Sequence, residues 1–353
     1  MRAHRLDGTW RLGWFDPGGG VEAGAHRSAF NDGGWLEATV PGEVHMDLAR
    51  AGVTRGQVFD KSPDEDRWVE KCEWWYRLAF VPGVKLKASR VELVFDGLDT
   101  LASVYLNGRL VARSENMHVP IRVDVKDRLA WGKRNTLAVR LGPVVDLAKG
   151  KSLRNLYTTT CAERLFVRKA QVSFGWDFHG RMVTAGIWRP VRLECWDAAR
   201  IDDVHVVAEP TAAGGGRFII RAETRGMGGA VEAAIRPAGS ARWQTRRKLA
   251  GGGGTIELKR AKRWWPHGCG KANLYEVRVR LLGRGGKILD ERTHRVGVRK
   301  IELVQDPVED GRRFAFRING REVYVRGANW VPATVHLADN SALRYRRLLE
   351  LSL

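Results

Sequence analysis

FDGLDTLASVYLNG, residues 95–108, decides the fold class. It continues an alternation of apolar residues at Val91, Leu93 and Phe95, the period of two that marks a half-buried strand. It ends on Asn107-Gly108, the preferred pair for a two-residue type I′ turn, whose central residues both need positive φ. A tight hairpin is expected here. A second, at Asn319-Gly320, has Phe314, Phe316 and Ile318 leading in and Val323 and Val325 leading out.

The same period recurs on both sides of this stretch. From Arg5 to about Trp196 short strands alternate with Gly, Pro, Asp and Asn, the pattern of one β-sandwich. From Ile201 to about Gly297 a second set follows, including Phe218 to Ile220, Val231 to Ile235, Ile256 to Leu258 and Tyr275 to Leu281. About a hundred residues at this strand spacing suit an immunoglobulin-like sandwich. The pieces Gly214 to Gly216 and Gly251 to Gly254 read as loops, and neither precedes a helix as a phosphate-binding loop must.

The last stretch differs. An apolar run from Val323 to Val331, broken by Arg326 and Asn329, predicts a strand. Asp339, Asn340 and Ser341 then offer an N-cap, and Tyr345, Leu348, Leu349 and Ser352 recur at helical spacing. Strand then helix is the unit of a (β/α)₈ barrel, which takes about 250 residues. Only 56 residues follow Gly297, so an incomplete barrel is expected.

A chain of 353 residues outgrows a single core and implies two or three domains. The formal charge of +20 invites a nucleic-acid partner. The basic residues are interleaved with 40 acidic ones, and the densest cluster, Arg242, Arg246, Arg247 and Lys248, lies in no helix-turn-helix, zinc-finger or RNA-binding pattern. A solvated arginine-rich surface and no nucleic-acid partner are expected. No run approaches the roughly 20 apolar residues of a membrane span, and Met1 to Trp10 is charged, so neither a membrane partner nor a secretory leader is expected. Cys72, Cys161, Cys195 and Cys269 are widely spaced, with no CxxC pair or His at ligand spacing. Reduced thiols, no metal and a cytoplasmic location follow as expectations.

Several stretches, in order and at matching spacing, resemble one family. They are LDGTWRL near the start, VPGEVHMDL (40–48), WWYR (74–77), the 95–108 stretch itself, VRKAQVSFGWDFHGRMVTAGIWRPVRL (167–193), WWPHGCG, VGVRKIELV and GANWVPA. The chain resembles the β-mannosidases of glycoside hydrolase family 2. The resemblance implies a mainly β fold with a galactose-binding-like jelly-roll sandwich over residues 1–197 and an immunoglobulin-like β-sandwich over 198–298. The first strand and helix of a (β/α)₈ barrel would follow over 299–353. It further implies a retaining hydrolase, needing no cofactor, that acts on oligosaccharides or glycosides ending in β-D-mannose.

Retention needs two carboxyl groups about 5–5.5 Å apart. In the family the acid/base Glu follows an Asn, and Asn-Glu occurs nowhere here, so no catalytic residue is assigned and the chain alone is expected to be inactive. The resemblance points to sugar contact by Trp176 and Asp177 of FGWDFHG. An indole face suits the C–H face of a pyranose, and a carboxylate can accept from two hydroxyls. A buried Trp with an Asp capping a turn is the other reading of the same residues. Phe178, His179 and Gly180 replace the family's usual Trp-Gly-Pro. His179 is then either an added polar contact or a solvated loop residue. Asn329 and Trp330, at the end of the expected barrel strand, either line the pocket or pack and cap. Two other functions remain open on the same residues: another family 2 exo-glycosidase of β-galactosidase, β-glucuronidase or exo-β-glucosaminidase type, and a non-catalytic carbohydrate-binding sandwich.

Overall fold

A computed structural model describes residues 1–55, 62–158, 161–227 and 229–352. The chain divides into two compact units, Arg2–Cys195 with Trp330–Leu353, and Trp196–Asn329 with Met1.

In the first unit two antiparallel sheets enclose one core. The six-stranded sheet runs in the order Leu36–Val40, Gly8–Phe15, Glu73–Phe80, Asn135–Gly142, Leu101–Leu106, Arg109–Ser114, and the four-stranded sheet in the order Arg2–Arg5, Val191–Trp196, Arg90–Phe95, Ile121–Asp124. Spatial neighbours are mostly distant in sequence, as in a jelly roll. Alternation explains the faces: Ala102, Val104 and Leu106 are buried while Leu101, Ser103 and Tyr105 between them are not. Trp10, Leu12, Trp74, Tyr76, Phe95 and Leu193, drawn from both sheets, are all essentially without solvent contact. At roughly 1.5–3 kcal/mol per fully buried large apolar side chain, this cluster is the main stabilising element of the unit.

The hairpin at Asn107-Gly108 forms as its sequence dictates, with φ of 50° and 79°. Its Asn side chain does more than tolerate the turn. Asn107 Oδ1 accepts from Thr136 N–H at 2.9 Å, and Nδ2 donates to Arg128 O (3.0 Å) and Asn135 Oδ1 (2.8 Å). Asn135 is buried and also bonds Ala130 and Lys133.

The sandwich of the second unit is an immunoglobulin-like pair of antiparallel sheets, with seven strands among the described residues. One is Ala199–Pro210, Gly216–Gly226, Gly253–Leu258, and the other Thr245–Leu249, Ala230–Pro237, Tyr275–Leu282, Ile288–Val296. Phe218, Ile220, Ile235, Val277 and Val279 fill the space between them. Gly253 and Gly254, expected in a loop, instead open a strand and pair with Arg221 and Ile220. Gly297 is required where the chain leaves this sandwich, because a Cβ there would lie 2.6 Å from Trp264 Cβ.

Residues 299–329 group with this second unit. Ile301–Val304, Ala315–Ile318 and Arg321–Val323 make a small sheet closed by the Asn319-Gly320 hairpin (φ 50° and 85°). The strand expected over Val323–Val331 does not form beyond Val323. An isolated extended run has no ladder to satisfy its backbone, and among the described residues 324–331 pair with nothing; Tyr324 is 86% and Val325 59% exposed. The expected helix does form, over Ala342–Glu350, capped by Ser341 Oγ accepting from Arg344 N–H at 3.1 Å.

Replacing Asn107 by Ala removes three hydrogen bonds and the residue type that tolerates positive φ. A loss of about 1–3 kcal/mol in the first unit is expected in chemical denaturation followed by tryptophan fluorescence, with the second unit unchanged.

Candidate functional site

The Trp-Asp loop lies in the first unit between two buried anchors. Lys169 is fully buried and its ammonium uses all three donors, on the Asp99 carboxylate, Thr184 O (2.8 Å) and Thr184 Oγ1 (2.8 Å). The Thr184 hydroxyl in turn donates to Asp99 Oδ2 at 2.8 Å, and the Thr100 hydroxyl donates to Asp99 Oδ1. Lys169 precedes the loop and Thr184 follows it, so one carboxylate holds both ends. A buried charge of either sign is tolerated only with such complete pairing.

Between these ends Phe174 is buried with Val144, Val167 and Val183. Gly175 takes φ 90° and lies 3.3 Å, measured from an ideal Cβ, from Arg181 N, which favours glycine there. Trp176 N–H then donates to His179 O (2.9 Å) and His179 N–H to Trp176 O (3.3 Å), leaving Asp177 and Phe178 at the tip of a tight turn. Arg181 braces the loop from behind. Its Nε and Nη2 reach Glu70 Oε2 and Oε1 at 2.9 and 3.1 Å, Nη2 also meets Glu163 at 3.3 Å, and the guanidinium lies 5.6 Å from the Phe174 ring centre.

The candidates fall as follows. Trp176 is 46% exposed, with the Arg164 guanidinium 5.2 Å from its ring centre, so the indole is not a core residue. Asp177 is exposed and caps nothing among the described residues. His179 is half-buried, and its ring nitrogens are shielded from solvent, with the Gly180 backbone beside them. Burial first, and the nearby positive charge of His336 in addition, push its pKa down. Trp330 is half-exposed and packs 6.1 Å from Tyr345 of the helix, whereas Asn329 is exposed and belongs to the other unit. Trp176, Asp177 and His179 are thus brought together in one turn, and Asn329 is not grouped with them.

Sequence reading missed the buried polar groups around this loop. Glu43 is buried and bonds His336 Nδ1. Burial pushes the Glu43 carboxyl up and His336 pulls it back; for His336 burial lowers its pKa and Glu43 more than restores it. The two shifts belong to one coupled pair, which holds a shared proton to higher pH than a free imidazole does. His45 beside it is driven to about 3 by burial and by His336, and so stays neutral. Asp47, pushed up to about 6 by burial, is held by Thr39 N–H (3.0 Å) and Arg50 (2.7 Å).

None of this is a hydrolytic pair. In cavities of about 340 and 480 Å³, Asp32 pairs with Arg77 (2.7 Å), Glu37 with Arg11 (3.9 Å), Asp146 with Lys149 (2.6 Å), and Glu70 and Glu163 with Arg181. Burial raises the Glu163 carboxyl, but its own backbone N–H, the Cys161 thiol and Arg181 together hold it low, the reverse of what a proton donor needs. Among the described residues no group of three or more His, Cys, Asp or Glu is placed to hold a metal.

Two outcomes follow. Lys169→Met leaves Asp99 buried and unpaired, and a loss of about 3–5 kcal/mol of unfolding free energy is expected in urea. The Glu43–His336 pair binds a proton more tightly folded than unfolded. Its contribution is therefore complete below the imidazole's ordinary value of about 6.5 and is lost as pH rises through the higher folded value. The facing groups His45, His179, Lys169, Asp99, Asp339 and Arg344 are present in both arms of the comparison. The thermal midpoint of the unaltered chain is expected to fall as pH rises above about 6.5, and His336→Gln to flatten that dependence, which in free energy is at most about 1.4 kcal/mol per pH unit.

Comparison with known proteins places this geometry. Residues 23–189 match "Glycosyl hydrolase 2 galactose-binding domain-like" and residues 199–299 match "Glycosyl hydrolases family 2". Beta-mannosidase B of Emericella nidulans is 33% identical over 339 residues, 90% of this chain and 39% of that protein. The Aspergillus fumigatus protein of the same name is 32% identical over 351 residues, 92% and 40%. The crystal structure of the β-D-mannosidase of Dictyoglomus thermophilum superposes with TM-score 0.85 and 34% identity, over 99% of this chain and 42% of that one. A β-glucuronidase of Ruminococcus gnavus, at TM-score 0.64 and 17% identity over 92% and 49%, shares the fold alone. The chain spans about 40% of the length of the curated relatives it matches. With both regions matched in chain order, it belongs to glycoside hydrolase family 2, of which it carries the galactose-binding-like domain and the immunoglobulin-like domain that follows.

Proposed function

We propose that the chain is the front portion of a β-mannosidase-like exo-glycosidase, acting on glycosides that end in β-D-mannose. The likeness that carries this reading is the 34% identity to a β-D-mannosidase across 99% of the chain, supported by the 31–33% identity of the curated relatives. Residues 299–353 contribute the first part of the catalytic barrel, and the two catalytic carboxylates are supplied beyond Leu353. In the assembled site Trp176 lies against the apolar face of the terminal sugar and Asp177 accepts hydrogen bonds from two of its hydroxyls. Trp330, which groups in the same unit as this turn, lines the pocket from the barrel side.

The division of labour follows from the chemistry. A retaining cleavage needs an acid kept protonated and a carboxylate kept ionised about 5–5.5 Å apart. The acids that brace this loop, Asp99, Glu70 and Glu163, are instead tied to cations, and the exposed Asp177 is left to hold sugar.

The assay is release of nitrophenol from p-nitrophenyl glycosides. Residues 1–353 alone are expected to give none above the blank. Joined to a family 2 catalytic barrel, they are expected to work faster on the β-mannoside than on the β-glucuronide or β-galactoside. There Asp177→Asn lowers kcat/KM by about 10- to 100-fold, the cost of one charge-assisted hydrogen bond. Turnover by the chain alone, or a rate unchanged in Asp177→Asn, contradicts the proposal.

A further inference from the structure

The basic charge of the chain is concentrated in one unit. Residues 199–299 hold 21 Lys and Arg against 9 Asp and Glu, a net +12 out of the chain's +20. Several of these cations are paired with the acids of the same unit. Arg217 pairs with Glu257 (2.9 Å), Arg236 with Glu276 (2.7 Å), Arg280 with Glu291 (2.6 Å) and Arg292 with Asp290 (3.0 Å). Three of the remaining cations line one cleft.

The cleft, of about 700 Å³, is lined by Arg260, Lys262 and Arg295, with Gln244, Asn273 and Tyr275 between them, and by no carboxylate. The three cations form no ion pair among the described residues. Arg295 shows why. It stands directly opposite Glu276 across the strand pair, but the Glu276 carboxylate turns to Arg236 on its other neighbour. A cation with its cross-strand acid already engaged is available to a ligand.

The cleft is also preformed. Lys262 N–H donates to the hydroxyl of buried Tyr275 at 2.8 Å, Ala261 N–H to Gly214 O at 3.2 Å, and Ala238 N–H to Leu274 O at 2.9 Å. Asn273 Nδ2 is used on Arg263 O at 2.9 Å, which leaves its Oδ1 and the whole Gln244 amide unengaged among the described residues. The backbone of the cleft is thus set before binding, and the exposed cation side chains are what a ligand orders.

We propose that this cleft binds an acidic saccharide, one whose sugar units carry carboxylate or sulfate. Its volume exceeds that of a single inorganic anion and suits a short oligosaccharide. Guanidinium and ammonium groups recognise the oxyanions, and the Asn and Gln amides recognise hydroxyls. A nucleic acid fits less well, because single strands need open aromatic faces on which bases stack and the one aromatic ring in the lining is buried. The site is independent of the catalytic reading: it concerns retention on an acidic glycan, not cleavage.

The test is titration calorimetry on the full chain at about 0.15 M salt, where diffuse surface attraction is largely screened. The probes are trigalacturonate for carboxylate, a heparin-derived tetrasaccharide for sulfate, neutral mannotriose and a single-stranded oligonucleotide. The cleft variant is Arg260→Ser/Lys262→Ser/Arg295→Ser. A charge-matched control is Arg109→Ser/Arg113→Ser/Lys133→Ser, all exposed positions of the other unit. Saturable binding of at least one acidic probe is expected, and which of the two binds identifies the anionic group. The cleft variant should weaken it at least about tenfold and the control less than about twofold, with no binding of mannotriose. The proposal is overturned if neither acidic probe binds, if both variants lose affinity equally, if mannotriose binds as well, or if the oligonucleotide binds more tightly than either acidic probe.

Discussion

A lysine ammonium removed from water must find a carboxylate and fill its remaining donors, or the fold around it cannot be stable. Lys169 meets that condition with Asp99 and both oxygens of Thr184. The consequence reaches beyond stability. Lys169 and Thr184 are the two ends of the loop that displays Trp176 and Asp177, so the pairing that neutralises a buried charge also closes the loop onto the sandwich. Arg181, bound to Glu70 in a fork, stops the middle from swinging. The tip can then be exposed because the loop is fastened at both ends and in the middle.

The same logic governs the acids. Glu43, Asp47, Asp99, Glu70 and Glu163 look numerous enough for hydrolysis, yet each is matched to a cation or imidazolium. Matched acids build and orient. In this chain, which spans about 40% of the length of the curated relatives it matches, these acids hold the loop and its surroundings in place.

Local signals in the sequence were read well because their causes are local. Asn107-Gly108 and Asn319-Gly320 form hairpins since Asn and Gly reach positive φ cheaply, and Ser341 caps its helix through a contact three residues away. The failures are non-local. Val323–Val331 has strand composition, but a strand needs a partner, and composition says nothing of whether one is present. Glu43 and His336 lie 293 residues apart, and no spacing rule connects them. Lys169 sits in a polar stretch, where a lysine reads as solvated. His179 was read as a contact or a bystander, and neither reading anticipated ring nitrogens shielded from water. In the basic surface, even interleaving along the chain concealed which cations lose their acids to a neighbour across the sheet.

The claim that the Trp-Asp turn is held rigid from its two ends is tested most directly by amide hydrogen exchange across residues 172–182. The account predicts slow exchange at the Trp176 and His179 amides in the unaltered chain. In Asp99→Asn, where the ammonium loses its charged partner, both amides should exchange much faster while those of strand Asn135–Gly142 remain protected. Rapid exchange at Trp176 and His179 in the unaltered chain, or protection indifferent to Asp99, would contradict it.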